Sequence, residues 1–234
     1  MSETVVIHRR YRGPLESGNG GYACGRLAQH AGGEAEVTLR LPPPLERPLA
    51  VERDGERVLL LDGDALVAEA VPARVDLAPP APVSWEEALD ATTRYPGFHE
   101  HPFPECFTCG PGRPEPDSLR IFPGSVAGRP DTVAAPWVAH EVDPAVVWAA
   151  IDCPGAFAVG VIGRGETVLG KMAARIERLP AAGERCVAAG FALGEDGRKL
   201  YAGTALFAET GELLALARQI WIVPRGFGPG SVLK

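Results

Sequence analysis

The chain has no apolar run approaching the roughly 18 residues that a membrane-spanning helix needs. It has no phosphate-binding loop, no dinucleotide-binding glycine fingerprint and no serine nucleophile elbow. Basic charge is short: 23 Lys and Arg stand against 30 Asp and Glu, a formal net charge of −7. Such a surface disfavours nucleic acid and anionic membranes as main partners. The start, Met1-Ser2-Glu3-Thr4, lacks the basic-then-apolar pattern of a signal peptide. The cysteines number 5, which is odd. Without an export signal they are expected as reduced thiols in the cytoplasm.

What is present suits an ordinary globular protein: 46% of residues are hydrophobic and 23% charged. At 234 residues the chain makes one large domain or two small ones, and either buries a real core. The 28 Gly and 23 Pro are dispersed, as turns between strands require. Residues 4–12 read as an edge strand ending in a basic patch at Arg9, Arg10 and Arg12. Asn19 is a good N-cap for a helix opening near Gly20 and ending at Gly32-Gly33. Residues 34–41 alternate as a half-buried strand does. Strands at 49–53, 57–61 and 65–71 follow, separated by Asp54-Gly55 and Asp62-Gly63, dipeptides that favour hairpins.

Residues 75–116 break the pattern. Pro79-Pro80-Ala81-Pro82 is stiff, Ser84 with Glu87 forms a capping box for a short helix, and 99–110 is rich in breakers. Regular structure resumes at 119–122 and 132–142, and Asp143 caps a short helix. Then comes Ile151-Asp152-Cys153-Pro154-Gly155-Ala156-Phe157-Ala158-Val159-Gly160, a carboxylate, a Pro-Gly turn and two helical turns of apolar residues. Strands at 172–178, 185–193, 199–208 and 213–223 complete a long, buried antiparallel set.

The halves repeat. Arg40-Leu41-Pro42 matches Arg178-Leu179-Pro180, Asp54-Gly55-Glu56-Arg57 matches Asp196-Gly197-Arg198-Lys199, and Asp62-Gly63 matches Thr210-Gly211. Each series follows a glycine-initiated helix, at Gly21 and at Gly155, and the first copy is more compressed. Neither half buries a helix well alone, which implies one pseudo-dimeric domain.

On these motifs the chain resembles the double hot-dog acyl-CoA thioesterase-like superfamily, and in its second half the long-chain acyl-CoA thioesterase II type. The resemblance implies an α+β fold in which two central helices are each wrapped by an antiparallel sheet, the sheets forming one continuous pseudo-dimeric sheet. Residues 1–78 would be the N-terminal half, 79–116 an irregular connector and 117–234 the C-terminal half. It implies acyl-CoA or a related thioester as partner, hydrolysis as activity and a homodimer; no cofactor is expected, and the charge and hydropathy above argue against nucleic acid and membrane.

The same resemblance implies site residues. A thioesterase of this kind needs a carboxylate to act on water and a helix N-terminal N–H to hold the oxyanion. Asp152 stands at the family's Asp, with Gly155 and Ala156 opening the helix behind it, and Gln219 stands at the family's Gln in the last strand. The family Thr falls at Gly170, with Thr167 three residues off. In the first half Gly18 takes the place of Asp152, and Asn19, Gly20 and Gly21 offer amides for the thioester or pantetheine. The plainer readings are that Asp152 caps its own helix, that Gln219 faces out from a terminal strand, and that Asn19-Gly20-Gly21 only starts a helix. A non-catalytic acyl-thioester or lipid-binding protein is therefore the alternative to an enzyme.

Hot-dog dehydratases pair the Asp with a His a few residues on; here Phe157 follows, and His140 lies twelve residues earlier. Cys106-Phe107-Thr108-Cys109 is a lone CxxC. His99 and His101 would complete four zinc ligands, but the spacing is too compact for a structural finger, so Cys106 and Phe107 are read as packing residues and no metal is assigned. Cys24 and Cys153 are read as small apolar side chains. The three arginines near the start offer charge to coenzyme A phosphates, or are simply solvated.

Overall fold

The structure, a computed structural model, describes residues 3–114 and 116–225. The first half runs β1 (Glu3–Val6), helix α1 (Gly20–Ala28), β2 (Ala35–Leu39), β3 (Pro48–Asp54), β4 (Arg57–Asp62) and β5 (Ala65–Pro72). The connector carries helix α2 (Trp85–Thr92), and the short strand β6 (Gly124–Val126) follows it. The second half runs β7 (Arg129–Ala139), α3 (Pro144–Ala150), α4 (Cys153–Ala158), β8 (Val168–Ile176), β9 (Glu184–Asp196), β10 (Lys199–Ala208) and β11 (Leu213–Ile222).

All the strands form one 11-stranded sheet, ordered β1-β3-β4-β5-β2-β8-β11-β10-β9-β7-β6. Within each half the order is the same: β1, β3, β4, β5, β2 answers β7, β9, β10, β11, β8. The two sets meet where β2 pairs antiparallel with β8, Ala35 opposite Ala174 through Thr38 opposite Lys171. This is the continuous pseudo-dimeric sheet of a double hot-dog. The repeat read from the sequence falls on equivalent turns: Asp54-Gly55 joins β3 to β4 as Asp196-Gly197 joins β9 to β10. The first copy is compressed in its strands, with 7 residues in β3 against 13 in β9.

Helix α1 begins where Asn19 accepts a bond from the Tyr22 N–H and stops through a 3₁₀ turn into Gly32, whose φ of 93° suits glycine. The second central helix is broken in two, because Ile151 departs from helical backbone conformation, with ψ of 10°, between α3 and α4. Helices α1 and α3 pack antiparallel through Gly21 and Gly25. A Cβ on Gly25 would lie 2.7 Å from Ala145 Cα and 2.8 Å from Trp148 Cβ. One glycine per turn thus lets the helix axes approach closely. Trp148, Val147 and Ile151 are buried there at 2%, 0% and 0% exposure, each aliphatic contributing about 1.5–3 kcal/mol.

The other face of the second-half sheet is also buried. Ala173, Val187, Ala189, Ala205, Phe207 and Leu216 meet Ala88 and Ala91 of α2, with Val75 and Val83 of the connector. Hence the second-half strands read apolar on both faces, and Ser84 and Glu87 do form the expected capping box on α2. Two local expectations fail. Residues 119–122 form no strand, the short pairing with β7 coming instead at β6. The edge strand ends at Val6, and Arg9–Tyr11 is a 3₁₀ turn. No described helix is long and apolar enough to cross a membrane.

Candidate active site

A cavity of about 330 Å³ opens between the halves. Its walls come from residues before α1, the end of β2, the connector at 101–109, the start of α4, residues 166–169, and Trp221. Most of the lining is apolar, including Leu39, Leu41, Phe103, Phe157, Val161 and Leu169.

Asp152 is on this wall and only 2% exposed. It stands at the N-cap position of α4 but in helical backbone conformation, and its side chain makes no bond to that helix. It caps the other half's helix instead. Oδ2 accepts from the Gly21 N–H at 3.0 Å and from Asn19 Nδ2 at 3.1 Å. The reading of Asp152 as a cap for its own helix is therefore replaced by a bond across 131 residues of chain. Oδ1 is buried and has no partner among the described residues. Burial pushes this carboxyl up to about 7; the Gly21 and Asn19 bonds oppose the rise, and Cys106 adds to it.

Asn19 has both ends of its amide in use, Oδ1 on Tyr22 N and Nδ2 on Asp152. As the N-cap of α1 it is the counterpart of Asp152 at α4, so Asn19 rather than Gly18 takes the Asp152 place in the first half. Gly21 is held by Asp152, leaving the N–H of Gly20 at the first position of α1 without a partner among the described residues. Gly20 and Asn19 line the cavity.

Gly155 does not line it. A Cβ there would strike the Gln219 side chain, so this glycine serves the contact of α4 with the sheet, and its N–H is taken by Asp152 O at 3.1 Å. The expected oxyanion donor at Gly155 is thus corrected, although Ala156 one residue on does border the cavity. Gln219 lies behind the site, fully buried on β11. Its Nε2 donates to Ile151 O at 2.7 Å and Asp152 O at 3.1 Å, while Oε1 accepts from Trp221 Nε1 at 2.8 Å. It grips the backbone that carries Asp152 and does not reach the carboxylate. Thr167 is buried, borders the cavity and donates its hydroxyl to Arg164 O at 3.0 Å.

The connector enters the site. Phe107 is fully buried with its ring edge-on to Tyr11 and Tyr22, and Thr108 donates to Ala149 O, fixing Cys106 and Cys109 beside the helix starts. Cys153, read from sequence as apolar packing, faces them: its Sγ is 3.8 Å from that of Cys106. The sulfurs of Cys106, Cys109 and Cys153 all lie within 4.8 Å of one another. His101 Nε2 is 3.4 Å from Cys109 Sγ, whereas His99 is exposed and outside the group. Hydrogen bonds from Cys109 and Cys153, with backbone N–H groups of residues 108 and 109, hold the Cys106 thiol well below its usual range. Burial pushes Cys109 up, and contact with Cys106 does the same to Cys153. His140 is exposed and does not line the cavity. Arg9, Arg10 and Arg12 pair with Glu16, with Asp117 and Glu141, and with Glu105, so their charge is engaged within the chain.

No protein-family model and no curated protein matches the chain. Solved structures do. A tesB protein from Mycobacterium avium subs paratuberculosis aligns over 90% of this chain and 89% of its own, at TM-score 0.57 and 16% identity. Acyl-CoA thioesterase II TesB2 from Mycobacterium marinum aligns over 88% and 91%, at 0.53 and 14%. A conserved hot-dog protein of unknown function from Alicyclobacillus acidocaldarius aligns over 94% and 92%, at 0.55 and 10%. At these identities the likeness establishes the fold, a double hot-dog shared with thioesterases.

Proposed function

We propose that this chain hydrolyses an acyl thioester, acyl-CoA or a related one, with water positioned by Asp152. The observation that carries the reading is one buried carboxylate, on a residue that lines an apolar cavity, with two unlike oxygens: Oδ2 fixed by Gly21 and Asn19, and Oδ1 buried without a partner among the described residues. In this scheme a water donates to Oδ1 while its oxygen attacks the thioester carbonyl. The proton passes to Asp152, the carbonyl oxygen becomes an oxyanion facing the Gly20 N–H, and the carbon–sulfur bond then breaks. The thiolate takes the proton and the acid leaves. Gln219 is a positioning residue, since it holds the Ile151 and Asp152 carbonyls. Thr167 borders the same space, and the Leu39, Leu41 and Phe103 side receives the acyl chain. The homodimer implied by the resemblance and the cytoplasmic location expected from the cysteines are kept as part of this reading, and light scattering tests the first.

One observation favours the alternative, a non-catalytic thioester-binding protein: the Asp152 bond to Gly21 also joins the two halves. Free-thiol release from short to long acyl-CoAs separates the two. Hydrolysis predicts turnover by wild type that Asp152→Asn removes, because Asn keeps an acceptor for Gly21 and loses the base. Wild type that binds acyl-CoA without turnover leaves only the binding reading, and neither turnover nor binding defeats both.

A further inference from the structure

Three thiols that the hydrolytic scheme does not use converge on the cavity wall, from two separate parts of the chain. Cys106 and Cys109 come from the connector and Cys153 from the first position of α4. We propose that Cys106, Cys109 and Cys153 bind one zinc ion, with the fourth ligand position open to the cavity beside Asp152.

The spacing fits. Thiolate–zinc bonds of about 2.3 Å at tetrahedral angles set sulfurs about 3.8 Å apart. Cys106 and Cys153 stand at 3.8 Å, and all three sulfurs fall within 4.8 Å. The turn after Cys109 is built for this convergence: Gly110 N donates to Cys106 O at 2.9 Å, and a Cβ at Gly110 would lie 2.5 Å from Cys106 N. All three thiols are buried and none is in a disulfide.

The surrounding donors point at sulfur. Asn19 Nδ2 is 3.7 Å from Cys106 Sγ. His101 Nδ1 accepts the Phe103 N–H at 2.9 Å, so the neutral ring carries its proton on Nε2, which faces Cys109 Sγ at 3.4 Å. A ligating histidine donates through its other nitrogen; here that nitrogen accepts. His101 is therefore an outer partner of a sulfur ligand, and the protein supplies three ligands rather than four. Three protein ligands plus water or substrate is the arrangement of an open zinc site, not a structural one. Asp152 lines the same cavity. The site stands whether or not the chain hydrolyses thioesters.

The test is elemental analysis of full-length protein purified without chelators, read beside cobalt substitution. Zinc equimolar with the chain is expected, lost in Cys106→Ser and Cys153→Ser and kept in Cys186→Ser, whose thiol lies outside the cluster. Cobalt-loaded wild type should show sulfur-to-cobalt charge transfer and tetrahedral ligand-field bands, shifted by cyanide through the open position. Wild-type spectra decide the matter even if a cysteine variant fails to fold. Metal-free protein that takes up neither ion, a Cys106–Cys153 disulfide by mass spectrometry, or iron with inorganic sulfide would each overturn the proposal. Cobalt bands that cyanide leaves unmoved would overturn the open position. None of these readouts needs turnover, so failure of the hydrolase reading is seen separately.

Discussion

Gly21→Ala should destabilise the protein although alanine is the better helix former. By propensity alone the change favours the folded state by about 1 kcal/mol in a helix interior, and by less in a first turn. The new Cβ, however, would sit 2.5 Å from Asp152 Cβ and 2.7 Å from Trp148 O. Carbon contacts relax near 3.5–4.0 Å, so the overlap is about 1 Å, and one of the opposing atoms is backbone. Overpacking of this kind costs about 1–3 kcal/mol. Separating α1 from α3 also stretches the 3.0 Å bond from Gly21 N to Asp152 Oδ2. Losing a bond to a charged group costs about 1.5–3 kcal/mol more. A net loss of about 1.5–6 kcal/mol follows, or some 3–24 °C in melting temperature for a chain of this size. Urea unfolding followed by circular dichroism measures it. A Gly21→Ala protein as stable as wild type would refute the close antiparallel packing of α1 on α3, and with it the seating of Asp152.

Gln219→Leu, similar in shape, strands the Ile151 carbonyl and the Trp221 indole and removes one of the bonds to the Asp152 carbonyl, and should cost about 2–4 kcal/mol while slowing turnover. Lost turnover with unchanged stability would instead make Gln219 a group that touches substrate. Glu69 is held below its ordinary carboxylate range by its bonds to Arg40 and Arg57, so its contribution is present at neutral pH and lost as pH falls through its folded value. Glu69→Gln should therefore be less stable than wild type at pH 7, by urea unfolding, and the gap should close in acid; a gap independent of pH would remove the ion pairs as its cause.

Much of the fold was legible because its signals are local. Asp54-Gly55 and Asp196-Gly197 mark turns by backbone chemistry alone, and Asn19 and Ser84 are caps whose partners lie three residues away. The repeat placed the halves in correspondence because each turn recurs in order. The site was legible only as a set of names. Asp152 stands where the resemblance put it, yet its bonding partners are 131 and 133 residues away, and no local pattern encodes that. Gly155 opens the helix expected to hold the oxyanion, but its N–H is taken by Asp152 O and the space it frees is taken by Gln219 from β11. Cys153 gave no signal, since one cysteine opening an apolar helix looks like packing until the connector brings Cys106 to it. The close helix packing does have a sequence signal: Gly21 and Gly25, four residues apart, mark the face of α1 that meets another helix closely.

The single chain also explains why the site can exist at all. Asn19 is the N-cap of α1 and Asp152 stands at the N-cap position of α4, and the two meet at 3.1 Å where the halves join. A true two-fold dimer would have to place identical residues there. Two aspartates at that distance would repel and share one proton, and two asparagines would leave no base. An amide facing a carboxylate avoids both: Asn19 donates to one oxygen of Asp152 and leaves the other unpartnered. The connector extends the asymmetry, since it crosses only once and brings Cys106 and Cys109 to the Asp152 side. The pseudo-symmetry builds the sheet, and the departures from it, one cap and one connector, place one buried carboxylate and three thiols on a single cavity.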